Sequence, residues 1–207
     1  MEIEYRGANC VIIKTKSAMI VTDPTDNAHS REATNKDAIV VATQEEFVPK
    51  DATFVIDMPG EYEIGDVSVR GMAAKRHIDP DESSKKATIY RLETSGVRFA
   101  VVGHVDAPIS DDDLESIGTV DIVVIPVGGG GYTLDGRDAT TIVRQLSPRA
   151  VIPTHYADPV TKYEVPQEPI NQFIKELGGV HEKVASLKIK GGSLPETLTV
   201  FEVTRNA

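Results

Sequence analysis

Cysteine is nearly missing from this chain: Cys10 is the only one among 207 residues. One thiol excludes an intramolecular disulfide and any Cys-rich metal knuckle. Tryptophan is absent and aromatic residues make up only 5%, so the core is expected to be mainly aliphatic. No apolar run approaches the roughly 18 residues that a membrane span needs. Basic residues are in deficit, with 22 Lys and Arg against 32 Asp and Glu, a net charge of -10 and a pI near 5.0. Such a surface repels a phosphate backbone on average, which argues against a dedicated nucleic-acid or anionic-membrane binder. The opening residues Met1-Glu2-Ile3-Glu4 lack a basic n-region and a signal-peptide apolar stretch. A cytoplasmic location is therefore the expectation. What is present is ordinary for a globular protein: 40% hydrophobic and 26% charged residues, with Val, Ile and Leu in compact runs. One domain over residues 1–207 is expected.

The first half reads as short strands parted by turns. Glu2 to Tyr5, Cys10 to Lys14 and Ala18 to Thr22 are predicted strands, with turn residues at 6–9 and 15–17. Thr25 to Lys36 is polar and reads as loop. Ala38 to Ala42 and Thr53 to Asp57 have the continuous apolar character of strands buried on both faces. Glu61 to Met72 predicts a hairpin turning at Gly65-Asp66, and Lys75 to Lys86 an exposed loop. A second hairpin, Thr88 to Val102, closes at Ser95-Gly96. Asp111 to Ser116 reads as a helical turn, its acids favoured at a helix start. Val120 to Val127 is a strongly apolar strand that runs into Gly128-Gly129-Gly130-Gly131. Asp135 or Asp138 can cap a helix to about Gln145, stopped by Ser147-Pro148. Ala150 to Ile152 is a short buried strand. Pro169 to Leu177 is a second helix ending at Gly178-Gly179, and Leu187 to Ile189 and Leu198 to Thr204 are strands. Two sheets flanked by helices fit this order.

Polar residues directly after buried strands are the candidates for chemistry, because a strand end holds a side chain more firmly than a loop does. They are Asp23, the segment Thr43-Gln44-Glu45-Glu46, His104 with Asp106, and His155. Imidazole and carboxylate are ligand types that zinc, manganese and iron accept. His29 and His181 read as surface residues, and Cys10, inside an apolar strand, as a small core residue. The four glycines between a strand and a helix sit where phosphate loops occur. They lack both the Gly-x-Gly-x-x-Gly spacing and a following Gly-Lys-Ser/Thr. Backbone freedom at a tight turn is the plainer account of them.

Several words of the sequence, in order, resemble the metallo-β-lactamase superfamily, most closely its ascorbate-6-phosphate lactonase-like branch. They are Met19-Ile20-Val21-Thr22-Asp23-Pro24, Asp37-Ala38-Ile39-Val40-Val41, Gly103-His104, the leucine-bearing segment Leu114 to Gly118, Asp121 to Gly129, and Pro148-Arg149-Ala150-Val151-Ile152-Pro153-Thr154-His155-Tyr156. The resemblance spans about the whole chain and implies an α/β fold, the four-layer αββα sandwich. It also implies a site-lining place for Asp23 and metal-ligand places for His77, His104 and His155. The departures are as informative. The family's His-x-His-x-Asp-His word, laid after Val41-Ala42, falls on Thr43, Glu45, Phe47 and Val48. Of these only Glu45 carries a good ligand. The bridging Asp of the family has become His104.

Three readings follow. The first is a degenerate member that has lost the two-metal site and binds a small-molecule ligand or a partner. The second is a hydrolase of ester, lactone or phosphoester substrates with one rebuilt metal site. Zinc or another divalent transition metal would be held there by His77, His104 and His155, an arrangement of three imidazoles with an open fourth position. Glu45 and Asp106 are its candidate catalytic carboxylates, Glu45 as general base or fourth ligand. The third is a nucleotide-binding protein using Gly128 to Gly131. Relatives in this branch often assemble, so a homo-oligomer is also expected.

Overall fold

The computed structural model describes residues 1–25, 35–78, 86–190 and 193–206. The expectations for His29, for most of the Thr25–Lys36 loop and for residues 79–85 lie outside them. Two sheets form the body. The first contains β1 (Glu2–Gly7), β2 (Cys10–Lys14), β3 (Met19–Thr22), β4 (Ile39–Val41), β5 (Phe54–Ile56) and the short β13 (Leu187–Lys188), in the order β13-β1-β2-β3-β4-β5. The second contains β6 (Gly60–Ile64), β7 (Val67–Ala74), β8 (Ala87–Thr94), β9 (Val97–Val101), β10 (Ile122–Pro126), β11 (Ala150–Thr154), β12 (Val180–Val184) and β14 (Thr199–Val203). Its order is β12-β14-β11-β10-β9-β8-β7-β6. Three α-helices, α1 (Asp111–Ile117), α2 (Gly136–Leu146) and α3 (Ile170–Leu177), and a 3-10 turn at Glu45–Phe47 complete the described elements.

Turn chemistry explains the hairpins. Ser95 and Gly96 both have positive φ (51° and 72°), the geometry of a two-residue turn whose twist matches the flanking strands. Asp135 is the residue that caps α2: its carboxylate accepts from the backbone N–H of Arg137 and Asp138, both at 2.8 Å. Ser110 caps α1, which runs to Ile117 and so is longer than the single turn expected.

The period-2 alternation of the central strands sorts their side chains into two cores. Ile122, Val124 and Ile152 meet Ile3, Ile13, Ile20 and Phe99 between the sheets. Val123, Ile125 and Val151 point the other way, onto Ile142 and Val143 of α2 and Phe173 of α3. All three helices pack on this second face, which makes an α/β sandwich of the expected class. The outer face of the first sheet carries a smaller cluster of Cys10, Ile12, Val21 and Ala38. Cys10 is buried there, as a core residue.

Parallel pairing places the chemistry. β3, β4 and β5 run parallel in one sheet. In the other, β9, β10 and β11 run parallel, and β14 joins them in the same sense. In parallel sheets, ligands gather outside the carboxyl ends of the strands.

Candidate functional site

At the ends of β3, β4 and β11, through Asn9 of the β1–β2 turn, the two sheets are tied by one hydrogen-bonded chain. Asp23 is fully buried. Its carboxylate accepts from the backbone N–H of Thr43 (2.6 Å), from Thr43 Oγ1 (2.8 Å) and from Asn9 Nδ2 (3.3 Å). Asn9 Oδ1 in turn accepts from Thr154 Oγ1 at 2.7 Å. Two backbone bonds reinforce the tie: Thr88 N–H to Thr43 O (2.8 Å) and His155 N–H to Ala8 O (2.8 Å). Asp23 and His155 both sit at positive φ (39° and 49°). Non-glycine residues held there carry backbone strain that surrounding contacts must support. Gly103 leads into His104 at φ 67°, and a Cβ on it would lie 2.6 Å from the Thr43 side chain. Glycine is therefore required for the two strand ends to approach.

Above this tie lies a cluster of rings. His104 packs edge-on to His155, with centroids 4.6 Å apart and planes at 88°. Tyr132 lies 4.9 Å from His104, Phe47 5.7 Å from His104, and Tyr163 4.6 Å from His155. His104, His155 and Phe47 are buried. The cluster opens into a cleft of about 370 Å³ whose lining includes Phe47, Tyr132, His155, Tyr163 and Gln167, with Glu46, Lys162 and Glu164 among its charged residues. Beneath it, Tyr5 stacks on Tyr156 at 5.7 Å. Burial pushes both hydroxyls well above the usual phenol range, so both remain neutral.

The remaining site candidates are placed elsewhere. His77 donates its backbone N–H to the carbonyl of His104 at 3.2 Å. Its ring faces Asp106 instead, with Nδ1 4.0 Å from Oδ1. Asp106 also pairs with Lys75 at 3.2 Å. Glu45 is exposed on the 3-10 turn Glu45–Phe47. It lines a neighbouring cleft with Asp57, Arg76 and Thr88 rather than the ring cluster. So His104 and His155 come together, while His77, Asp106 and Glu45 do not join them. Among the described residues no three His, Cys, Asp or Glu side chains are grouped to hold a metal ion.

The glycine run is occupied by the chain itself. A Cβ on Gly128 would stand 2.0 Å from the carbonyl of His155 and 2.5 Å from Gln167 Oε1. One on Gly130 would stand 2.7 Å from the carbonyl of Pro166. Gly128 O also accepts from Glu168 N–H. Gly128 and Gly130 let the segment after β11 close over the end of β10, a packing contact that accounts for these two glycines.

A model of the β-lactamase superfamily domain matches residues 2–155. The chain belongs to the metallo-β-lactamase superfamily. A UPF0173 protein of Pyrococcus abyssi is 26% identical over 177 aligned residues, covering 75% of this chain and 83% of the relative. A candidate zinc-dependent hydrolase of the superfamily from Thermotoga maritima shares the fold at a TM-score of 0.74 and 23% identity, over 98% of this chain and 100% of that one. A metallo hydrolase from Ignicoccus hospitalis does so at a TM-score of 0.59 and 16% identity, over 85% and 89%.

Against this superfamily membership the four hallmark ligand positions can be tested residue by residue. Thr43 commits both its N–H and its hydroxyl to Asp23. Phe47 and Val48 offer no donor atom, and the Phe47 ring packs on His104. Glu45 faces the other cleft. Among the described residues, Thr43, Phe47 and Val48 at these positions supply no ligand group for a two-metal centre. The cleft's Tyr132, Tyr163 and Gln167 escape the sequence reading. Tyr132 could have been suspected from its place after the glycine run, but nothing local marks Tyr163 or Gln167.

Proposed function

We propose that this metallo-β-lactamase-fold chain uses the strand-end pocket of its superfamily to bind a small molecule without a metal ion. The observation that carries the reading is the substitution of rings for ligands. Where the family word would place imidazoles and a carboxylate, Thr43 is tied to Asp23 and Phe47 packs against His104. The result is a concave, aromatic-walled cleft with a few polar groups, the usual form of a small-molecule site. His155 and Gln167 supply polar atoms in its wall, and Glu46, Lys162 and Glu164 supply charge. The neighbours share the fold, and the donor set at the strand ends of this chain supports ligand binding there without a metal.

The test is metal content together with metal response. The full chain is purified without chelator and assayed by plasma mass spectrometry, then melted with and without excess zinc and manganese. The expected result is far less than one equivalent per chain and an unmoved melting temperature, since a ligand bound only by the native state must raise it. One retained equivalent of a transition metal, lost on His155→Ala, would overturn the reading in favour of a rebuilt one-metal hydrolase.

A further inference from the structure

We propose that the edge strand β5 takes an extended, cationic segment of a partner protein as an added strand, with apolar side chains over Phe54 and a Lys or Arg beside Asp37 and Asp66. This surface is separate from the strand-end cleft. β4 and β5 run parallel, with Ile39 opposite Phe54 at their starts. The groove lies at these amino ends, and the ring cluster lies beyond the carboxyl ends.

Each sheet has two edges, and three of the four edge strands carry charge. β6 has Glu61 and Glu63, β12 has His181, Glu182 and Lys183, and the two-residue β13 has Lys188. Charged side chains on an edge discourage pairing with another chain. β5 reads Phe-Val-Ile and has none. Among the described residues β4 is its one strand neighbour. Ile56 turns its backbone to β4, since its carbonyl accepts from Ala42 N–H at 2.9 Å. Successive residues of a strand turn their N–H and C=O to opposite sides, so Val55 presents its pair to the open edge.

The side chains there belong to a core that reaches the surface. Ile39, Val41 and Ile56 are buried between the sheets. Phe54 shares their side of the strand by the period of two, yet it is 44% exposed. With Ala18, Ile39 and Ile64 it lines a groove of about 470 Å³ beside the Gly65-Asp66 turn.

The rim sets the chemistry of the occupant. Asp37 and Asp66 are in the groove lining, and no Lys or Arg is. Ser17 Oγ donates to Asp66 Oδ2 at 2.7 Å and holds that carboxylate at the rim. A second copy would bring the same two acids and a net charge of -10. Charge therefore favours a cationic partner over self-pairing. Strand addition draws affinity from main-chain hydrogen bonds and specificity from alternate side chains.

The experiment titrates the isotope-labelled full chain with an acetylated and amidated heptapeptide that alternates valine with threonine and carries lysine at both ends. One control peptide has glutamate in place of lysine. The other has N-methyl groups on alternate amides. The lysine peptide should shift the amide signals of Phe54–Ile56 and slow hydrogen exchange at Val55 N–H. Each control should bind about tenfold more weakly, through lost ion pairs or lost main-chain hydrogen bonds. Asp37→Asn with Asp66→Asn should weaken the lysine peptide and leave the glutamate peptide unchanged. Phe54→Lys should abolish binding; if that variant fails to fold, the peptide controls decide. No shift at β5 with the lysine peptide at millimolar concentration overturns the inference. Equal affinity for the lysine peptide and either control overturns it too. A dimer seen by sedimentation and dispersed by Phe54→Lys would make a second copy the occupant and overturn the cationic partner.

Discussion

Thr43→Val is the sharpest perturbation of the tie beneath the pocket. Valine keeps the shape of threonine, so no cavity opens, and only the hydroxyl is lost. That hydroxyl donates to Asp23 Oδ2 at 2.8 Å in a fully buried setting. A hydrogen bond to a charged group contributes about 1.5–3 kcal/mol. Asp23 would keep the backbone N–H of residue 43 and Asn9 Nδ2, so the loss should stay within that range. For a chain of this size each kcal/mol moves the melting temperature by about 2–4 °C. The expected fall is therefore about 3–12 °C, with an unchanged urea m-value because the native surface is the same. Thr141→Val is the control. Its hydroxyl donates to the Arg137 carbonyl on the exposed side of α2, and its stability should stay within about 0.5 kcal/mol of the parent. If Thr43→Val melts with the parent while the control does too, the Asp23–Thr43 bond does not hold the sheets together and the reasoning fails.

Two further outcomes test other parts of the structure. Asp121 accepts from the N–H, Nε and Nη2 of Arg98, each at 2.9 Å. The hydrogen-bonded guanidinium holds the carboxyl below its ordinary range. A depressed carboxyl stabilises the fold above its unfolded value of about 3.9 and loses that contribution as pH falls through the folded value. Asp121→Asn should therefore be less stable at pH 7 by about 1–2 kcal/mol, discounted because Arg98 is partly exposed. The gap should close in acid melts below about pH 4; a gap that persists at low pH would refute the assignment. Gly128→Ala would drive a Cβ to 2.0 Å from the His155 carbonyl. It should cost more than about 3 kcal/mol and expose the segment after β11 to protease. Gly131→Ala meets nothing within 4 Å and should cost only about 1–2 kcal/mol for its positive φ. Equal melting temperatures for the two would show that the glycine run is not a packing contact.

Much of the architecture could be read one element at a time. Apolar runs mark β4, β10 and β11, hairpin turns mark Gly65-Asp66 and Ser95-Gly96, and an Asx cap opens α2, because these signals act over a few residues. β12 could not be read this way. Val180–Val184 is an exposed edge strand with no apolar alternation, and only its pairing with β14 makes it a strand. The same divide runs through the site. Asp23, His104 and His155 are visible as polar residues at strand ends, and Thr43, Phe47 and Val48 are visible as departures from the family's ligand word. Their use is not visible. Whether His77 turns toward His104 or toward Asp106 depends on side-chain packing after the sheets have assembled. Thr154 and Asn9 meet across 145 residues of chain, and Gln167 finds His155 only because Gly128 lets a later segment close over an earlier strand. Local propensity decides which residues form strands, turns and caps. Which rings come together at the strand ends is decided only when distant parts of the chain are brought within hydrogen-bond reach.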